Sequence, residues 1–193
     1  MMLAIHASNG ERLLSADDVR GLYVEYGAEL RQALSRLAPD VDAEDLLQEL
    51  FVVALRKADA LGAADSPRAW LYGVAVKLAA SRRRAARLRR FFGLEAASDV
   101  SAVDSPSRTV EQRDAQALLA RALRPLSDAK RDVFVLFELQ GLPGEAIAEA
   151  LGIPLKTVWT RLFHARKAVA AELQRLTAIE ARTSGLARKE LVP

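Results

Sequence analysis

From residue 144 to residue 161 the chain reads Gly-Glu-Ala-Ile-Ala-Glu-Ala-Leu-Gly-Ile-Pro-Leu-Lys-Thr-Val-Trp-Thr-Arg, an order that few folds accept. Ile147 and Leu151 lie one helical turn apart, Gly152 interrupts them, and Val158 and Leu162 restart the apolar period after Pro154. The spacing predicts two short helices crossing at a tight turn. Ala148 is small where they meet, and Gly152 supplies the left-handed backbone that such a turn requires. This is a helix-turn-helix pattern. Val158, Leu162, Ala165 and Val169 then face inward, and Lys156, Thr157, Trp159, Thr160, Arg161, Phe163, His164, Arg166 and Lys167 form an outer face without an acid. Any alanine-rich helical hairpin with a glycine turn shares the apolar spacing. An acid-free outer face is what a helix entering a phosphate-lined major groove needs, so we read it as DNA-binding. With no second histidine or cysteine near it, His164 is read as a groove or backbone contact, or a solvated side chain, rather than a metal ligand or a base.

Composition agrees with a helical chain. Alanine (36) and leucine (30) supply about a third of the 193 residues and aromatics only 6%, which predicts an all-α fold and disfavours a β-sandwich or barrel. The absence of cysteine excludes disulfides, thiolate zinc sites and a cysteine nucleophile, and only His6 and His164 remain as nitrogen ligands. No metal and no cofactor are expected. The stretch from Met1 to Glu11 has no signal-peptide pattern, and no window approaches the roughly 18 uninterrupted apolar residues of a membrane span. A cytoplasmic protein without membrane insertion is expected.

The net charge of +3 says little, but the charges fall in blocks. Asp40, Asp42, Glu44, Asp45 and Glu49 occur together without a base; Arg82, Arg83, Arg84, Arg87, Arg89 and Arg90 occur together without an acid. Such segregation predicts surfaces for different partners. Asp42 is placed to cap a helix reaching about Ala58, which buries Leu47, Leu50, Phe51, Ala54 and Ala58 and leaves Asp45, Gln48, Glu49, Val52 and Arg56 on the other face. A helix over about Ala16 to Leu37 carries a stripe of Leu22, Tyr26, Leu30, Ala33 and Leu37. After a loop from Asp59 to Ser66, Pro67 opens a third helix with Trp70, Leu71, Val74, Ala75 and Leu78, continued by the arginine run. From Phe91 to Gln112 there is no helical period, and the segment reads as a linker. Four helices follow, at about Glu111–Leu123, Ser127–Leu139, Pro143–Leu151 and Leu155–Leu176. The run from Val133 to Phe137 would alone suit a buried strand; its flanking charges favour helix. The expectation is two small helical domains, residues 15–90 and 113–176, joined by a flexible linker at 91–112, the second containing the helix-turn-helix, with residues 177–193 as a frayed tail.

With Asp42-Ala-Glu-Asp-Leu-Leu-Gln-Glu-Leu-Phe51 in the first domain and the segment from Leu142 to Arg166 in the second, the chain resembles the extracytoplasmic-function (ECF) group of the sigma-70 family. The resemblance runs from about Tyr23 to Leu176. It implies a sigma factor, not an enzyme: a subunit that binds core RNA polymerase, directs promoter-specific initiation at minus 35 and minus 10 elements, and assists strand opening. It further implies that Asp45, Gln48 and Glu49 bind the clamp helices of the β′ subunit. The segment from Arg68 to Arg84 would open and read the minus 10 element, using Trp70, Tyr72, Lys77, Arg82, Arg83 and Arg84. The helix-turn-helix would bind the minus 35 element and touch the β flap, and an anti-sigma factor is the usual inhibitor. Tyr72 is expected to be exposed, whereas Trp70 suits the core as well as a stacking platform. The chain departs from the family at Gly73, where arginine is common, at Val76-Lys77, where Arg-Asn is common, and at Ser81, where aspartate is frequent. The alternative is a stand-alone helix-turn-helix regulator with an N-terminal sensing or dimerisation domain. Such a bundle has no need for the polar face at Asp45, Gln48 and Glu49.

Overall fold

Capping side chains set where the helices begin in the computed structural model, which describes residues 14–93 and 109–190. The Ser15 hydroxyl accepts the Asp18 N–H while the Asp18 carboxylate accepts the Ser15 N–H, and this reciprocal pair opens α1 (Ala16–Leu37). Asp42 accepts from the N–H groups of Glu44 and Asp45 and opens α2 (Ala43–Arg56). The segment expected as a loop from Asp59 begins instead as a short helix, α3 (Ala58–Gly62), whose Leu61 is fully buried. Ser66 then caps α4 (Pro67–Phe91), with Pro67 in the first turn, where its missing N–H costs nothing.

A second reciprocal cap, between Thr109 and Gln112, opens α5 (Val110–Leu123). α6 (Asp128–Phe134) runs into a π-helical turn at Val135–Leu139, and α7 (Gly144–Leu151) and α8 (Leu155–Glu190) complete the order. The Val133 to Phe137 run is therefore helical, with Val133, Val135 and Leu136 all buried. Most of the expected linker, residues 94–108, lies outside the described residues; its ends at Phe91 and Val110 are helical. The expected frayed tail is corrected: α8 continues to Glu190, because a single Ser184-Gly185 step costs only about 1 kcal/mol against alanine and does not stop a helix of good formers. Residues 191–193 lie outside the described residues.

α1, α2 and α4 pack against one another around Leu30, Leu34, Leu37, Leu46, Leu50 and Leu71, and α8 packs against α5, α6 and α7 around Ile147, Val158, Leu162 and Val169. These two groups share one apolar cluster. α4 lies along α7, and α1 touches the π-helical turn and α6. At the middle of the contact Gly73 meets Ala150: a Cβ added to Gly73 would stand 3.1 Å from the Ala150 carbonyl oxygen and 3.3 Å from its Cβ. Toward the end of α4, buried Arg83 places Nε 3.2 Å from Asp128 Oδ2 and Nη2 3.0 Å from Asp132 Oδ1, and donates to the Leu37 carbonyl. Arg87 reaches the same Asp128 at 2.8 Å.

Burial pushes the Asp132 carboxyl up to about 6 even though Arg83 beside it favours the charged form. The desolvation of Asp128 is outweighed by Arg87 and Arg83, which leave its carboxyl below the ordinary value. Between the ordinary carboxylate value and about 6 the folded chain thus holds more proton on Asp132 than the unfolded chain does. The contribution of that group to stability is complete below its unfolded value and drains away as pH rises through about 6. Urea unfolding of the chain and of Asp132→Asn at pH 5 and pH 7.5 is expected to show the larger loss of midpoint, on raising pH, in the unsubstituted chain.

Candidate nucleic-acid and polymerase interfaces

The turn of the helix-turn-helix forms as its sequence requires. α7 ends on Gly152 at φ +63°, with the Gly152 N–H on the Glu149 carbonyl (3.1 Å) and the Ile153 N–H on the Ala148 carbonyl (3.0 Å), so its last carbonyls are satisfied. Pro154 then starts α8, its carbonyl accepting from Thr157 at 2.8 Å. Ile147, Val158, Leu162, Ala165 and Val169 are buried between the helices. Gly141, at φ +67°, performs the corresponding stop after the π-helical turn.

The outer face of α8 is shaped by neighbours that its own periodicity does not reveal. Lys156, Thr160, Phe163, His164, Arg166 and Lys167 are exposed, and Thr157 and Arg161 half-buried. The Trp159 ring, 42% exposed, stands edge-on to Phe137 with centroids 5.4 Å apart and covers Gly144. Arg166 lies over the Phe137 ring, and its Nε meets Glu138 at 2.6 Å. An acid from another element therefore borders a face that carries none itself. The Thr160 hydroxyl donates to the Lys156 carbonyl at 2.9 Å, which leaves its oxygen free to accept. Arg161 lies with Leu151 along a cleft of about 290 Å³ whose opposite wall is α4, lined by Val76, Arg84 and Arg87.

Residues expected at the minus 10 element divide. Lys77, Arg82 and Arg84 are exposed, and Trp70 is half-buried against the core. Tyr72, expected to be exposed, is fully buried, and Arg83 is 8% exposed. The Tyr72 hydroxyl donates to Gln140 Oε1 at 2.8 Å, Arg68 donates to the Gln140 carbonyl at 2.6 Å, and burial pushes the Tyr72 hydroxyl up to about 12, so it stays a neutral donor. The cause is that α4 is covered on two sides, by α1 and α2 on one and by α7 on another, whereas sequence periodicity reveals only a single apolar stripe. On α2, Asp45 and Gln48 are exposed and Glu49 partly so, the last paired with Arg82 across the surface. Gln140, Asp128, Asp132 and Glu138 carry no sequence signal for these contacts, since each partner lies far away in the chain. Among the described residues no cluster of three or more metal-ligating side chains forms, and no helix is long and apolar enough to cross a membrane.

A helical chain with a basic helix-turn-helix behind an acidic-faced bundle defines a class of transcription proteins. The families "Sigma-70 region 2" and "Sigma-70, region 4" match residues 22–89 and 116–169. The ECF RNA polymerase sigma factor SigL of Mycobacterium tuberculosis is 34% identical over 170 residues, covering 87% of this chain and 96% of its own length. The ECF sigma-E factor of Escherichia coli K12 is 29% identical over 167 residues, covering 80% and 86%. Among solved structures, the sigma factor RpoE in complex with the anti-sigma factor NepR from Bartonella quintana shares the fold at TM-score 0.67 and 22% identity, over 82% of this chain and 98% of its own. CnrH in complex with the cytosolic domain of CnrY shares it at TM-score 0.61 and 24% identity, over 83% and 90%. The chain belongs to the ECF group of the sigma-70 family, whose work is promoter-specific transcription initiation.

The seat of Trp159 gives a test of how this surface is built. A Cβ on Gly144 would stand 2.6 Å from Trp159 Cζ2 and 3.1 Å from Leu155 Cδ1. Gly144→Ala is therefore expected to destabilise the chain by about 1–3 kcal/mol through overpacking. Most of that loss is expected to vanish when Gly144→Ala is made in a Trp159→Ala background, which a double-mutant cycle by urea unfolding measures.

Proposed function

We propose that this chain binds core RNA polymerase through the face of α2 that carries Asp45, Gln48 and Glu49, set against the clamp helices of β′. It reads a minus 35 element with the outer face of α8. The observation that carries this reading is the exposed, acid-free row Lys156, Thr160, Phe163, His164 and Lys167 on the second helix of a helix-turn-helix whose inner positions Ile147, Val158, Leu162, Ala165 and Val169 are buried. Arg161, Arg166, Thr157 and Trp159 belong to the same surface, with Trp159 and Arg166 anchored from behind by Phe137 and Glu138. Lys77, Arg82 and Arg84 serve the minus 10 segment as presented, and Trp70, Tyr72 and Arg83 join them once α4 is uncovered.

The division of labour follows residues 15–90 for core and minus 10 contacts and 113–176 for the minus 35 contact and the β flap. The chain supplies binding energy and specificity, and phosphodiester chemistry stays with the polymerase. One structural neighbour described above was solved with an anti-sigma factor and the other with the cytosolic domain of CnrY, and an anti-sigma factor is the partner of that kind for this chain. Its place of action is the cytoplasm, where core polymerase and promoters are.

Two measurements test the reading. In reconstituted holoenzyme, Arg161→Ala is expected to weaken promoter binding by about 1–3 kcal/mol with little change in folding, and unchanged affinity for both Arg161→Ala and Thr160→Ala removes this face from promoter reading. Replacing Asp45, Gln48 and Glu49 together by alanine is expected to lower core affinity by about tenfold or more in a fluorescence titration. Helicity is expected to hold, since alanine is the best helix former and the exposed Glu49–Arg82 pair is worth about 0–1 kcal/mol. Equal core affinity would favour a stand-alone helix-turn-helix regulator.

A further inference from the structure

Between α4, α6 and α8 the molecule leaves a cleft of about 290 Å³ whose charge does not balance. Four arginines line it, Arg83, Arg84 and Arg87 from α4 and Arg161 from α8, against two carboxylates, Asp128 and Asp132 of α6. The carboxylates are already committed: Arg83 meets both, and Arg87 shares Asp128. Arg84 is exposed and Arg161 half-buried, and among the described residues neither meets an acid. Two guanidiniums are thus in excess. Arg131, on the same helix as the two aspartates, feels the surplus: burial, and then the Arg83 charge, hold its guanidinium below the ordinary value. The remaining lining is apolar, with Val76 and Ala80 on the α4 wall and Leu151 of α7 opposite, so an ion seated between the arginines is partly screened from water and held more strongly.

From this cleft we propose a binding site for a small polyphosphate anion, a diphosphate group carried free or on a nucleoside, held between Arg84 of α4 and Arg161 of α8. Size sets the class of ligand. Small-molecule sites begin at about 300 Å³, and this cleft stands at that lower end; a DNA duplex, whose major groove alone is about 12 Å wide, does not enter it. Charge sets the chemistry. A monocarboxylate brings one charge and two oxygens, which the aspartates already supply to Arg83 and Arg87. Two further guanidinium forks, on separate helices, call for at least two charges and more oxygens, and linked phosphoryl groups bring both. Arg83 does not bind the anion. Tied to Asp128, Asp132 and the Leu37 carbonyl, it fixes the turn of α4 that carries Arg84. Arg84 and Arg161 also belong to the DNA surfaces proposed above, but the anion site needs no DNA and is tested without any.

Isothermal titration of the full chain with pyrophosphate, without DNA, polymerase or divalent cations, is expected to show saturable binding at one site. Arg84→Gln and Arg161→Gln break no ion pair, and each is expected to weaken that binding about tenfold with circular dichroism and the urea midpoint unchanged. Ala80→Leu, which fills the cleft without altering charge, is expected to weaken it to a similar degree. Arg89→Gln, in the same arginine block but outside the cleft, is expected to leave it unchanged. Adenosine 5′-diphosphate separates the two sources: affinity no greater than that of pyrophosphate assigns a free diphosphate, and tighter binding assigns a nucleotide whose base lies against Val76 and Leu151. The site is overturned by the absence of saturable binding at millimolar pyrophosphate, by an equal loss in Arg89→Gln, or by unchanged affinity in both Arg84→Gln and Arg161→Gln. It is overturned too if sulfate at matched ionic strength binds as well as pyrophosphate, the mark of an adventitious ion only. Since neither core nor promoter is present, failure of this titration leaves the proposed function standing, and failure of promoter reading leaves the anion site standing.

Discussion

One buried guanidinium determines how the helices of this molecule sit on one another. Arg83 is 8% exposed and is held by Asp128, Asp132 and the carbonyl of Leu37, the last residue of α1. A charge taken from water in this way is tolerated only if every direction around it offers an acceptor, and here α6 supplies two carboxylates and the C-terminal, electronegative end of α1 supplies the third group. Such a cluster adds little net stability against an apolar alternative. What it adds is position, since a shift of α4 along α6 by one residue would strand the charge. With that register set, Tyr72 falls on Gln140 and Gly73 on Ala150 about three turns away.

The reading surface of the helix-turn-helix depends on a second constraint of the same kind. Trp159 would be a mobile aromatic on an exposed face were it not seated on Gly144 and against Phe137. Phe137 belongs to the π-helical turn, which also positions Gln140 by the i to i+5 bond from the Gln140 N–H to the Val135 carbonyl at 3.0 Å. The same irregular turn therefore backs the α8 face on one side and meets α4 on the other. A change in one contact has a physical route to the other through that turn.

Local signals explain what was legible in the chain. The ends of α1 coincide with expectation because Ser15 and Asp18 cap one end and Pro39 lies just past the other. The inner positions of the helix-turn-helix, Ile147, Val158, Leu162, Ala165 and Val169, are buried as their spacing requires. What escaped is non-local. Nothing near Tyr72 in sequence announces Gln140, and nothing near Arg83 announces Asp132, so a tyrosine and an arginine expected at the surface are inside. α3 and the π-helical turn escaped for a different reason: each is a single turn, too short for periodicity to register.

Gly73 joins these threads. In sequence it is a departure from the arginine common at this place in the family, and by itself it looks like the loss of a contact to DNA. In the fold the same position lies 3.1 Å, measured from a would-be Cβ, from the Ala150 carbonyl, so any side chain there requires α7 to give by a few tenths of an ångström. Glycine at 73 gives up a side chain that could reach phosphate and gains a close approach of α4 to α7. This chain carries the glycine, and with it the small Ala150 opposite and the acidic pair Asp128 and Asp132 facing Arg83 and Arg87. Three separate choices of residue type, one steric and two electrostatic, thus agree on the same closed arrangement, and agreement between independent levels is what distinguishes a specified contact from an incidental one.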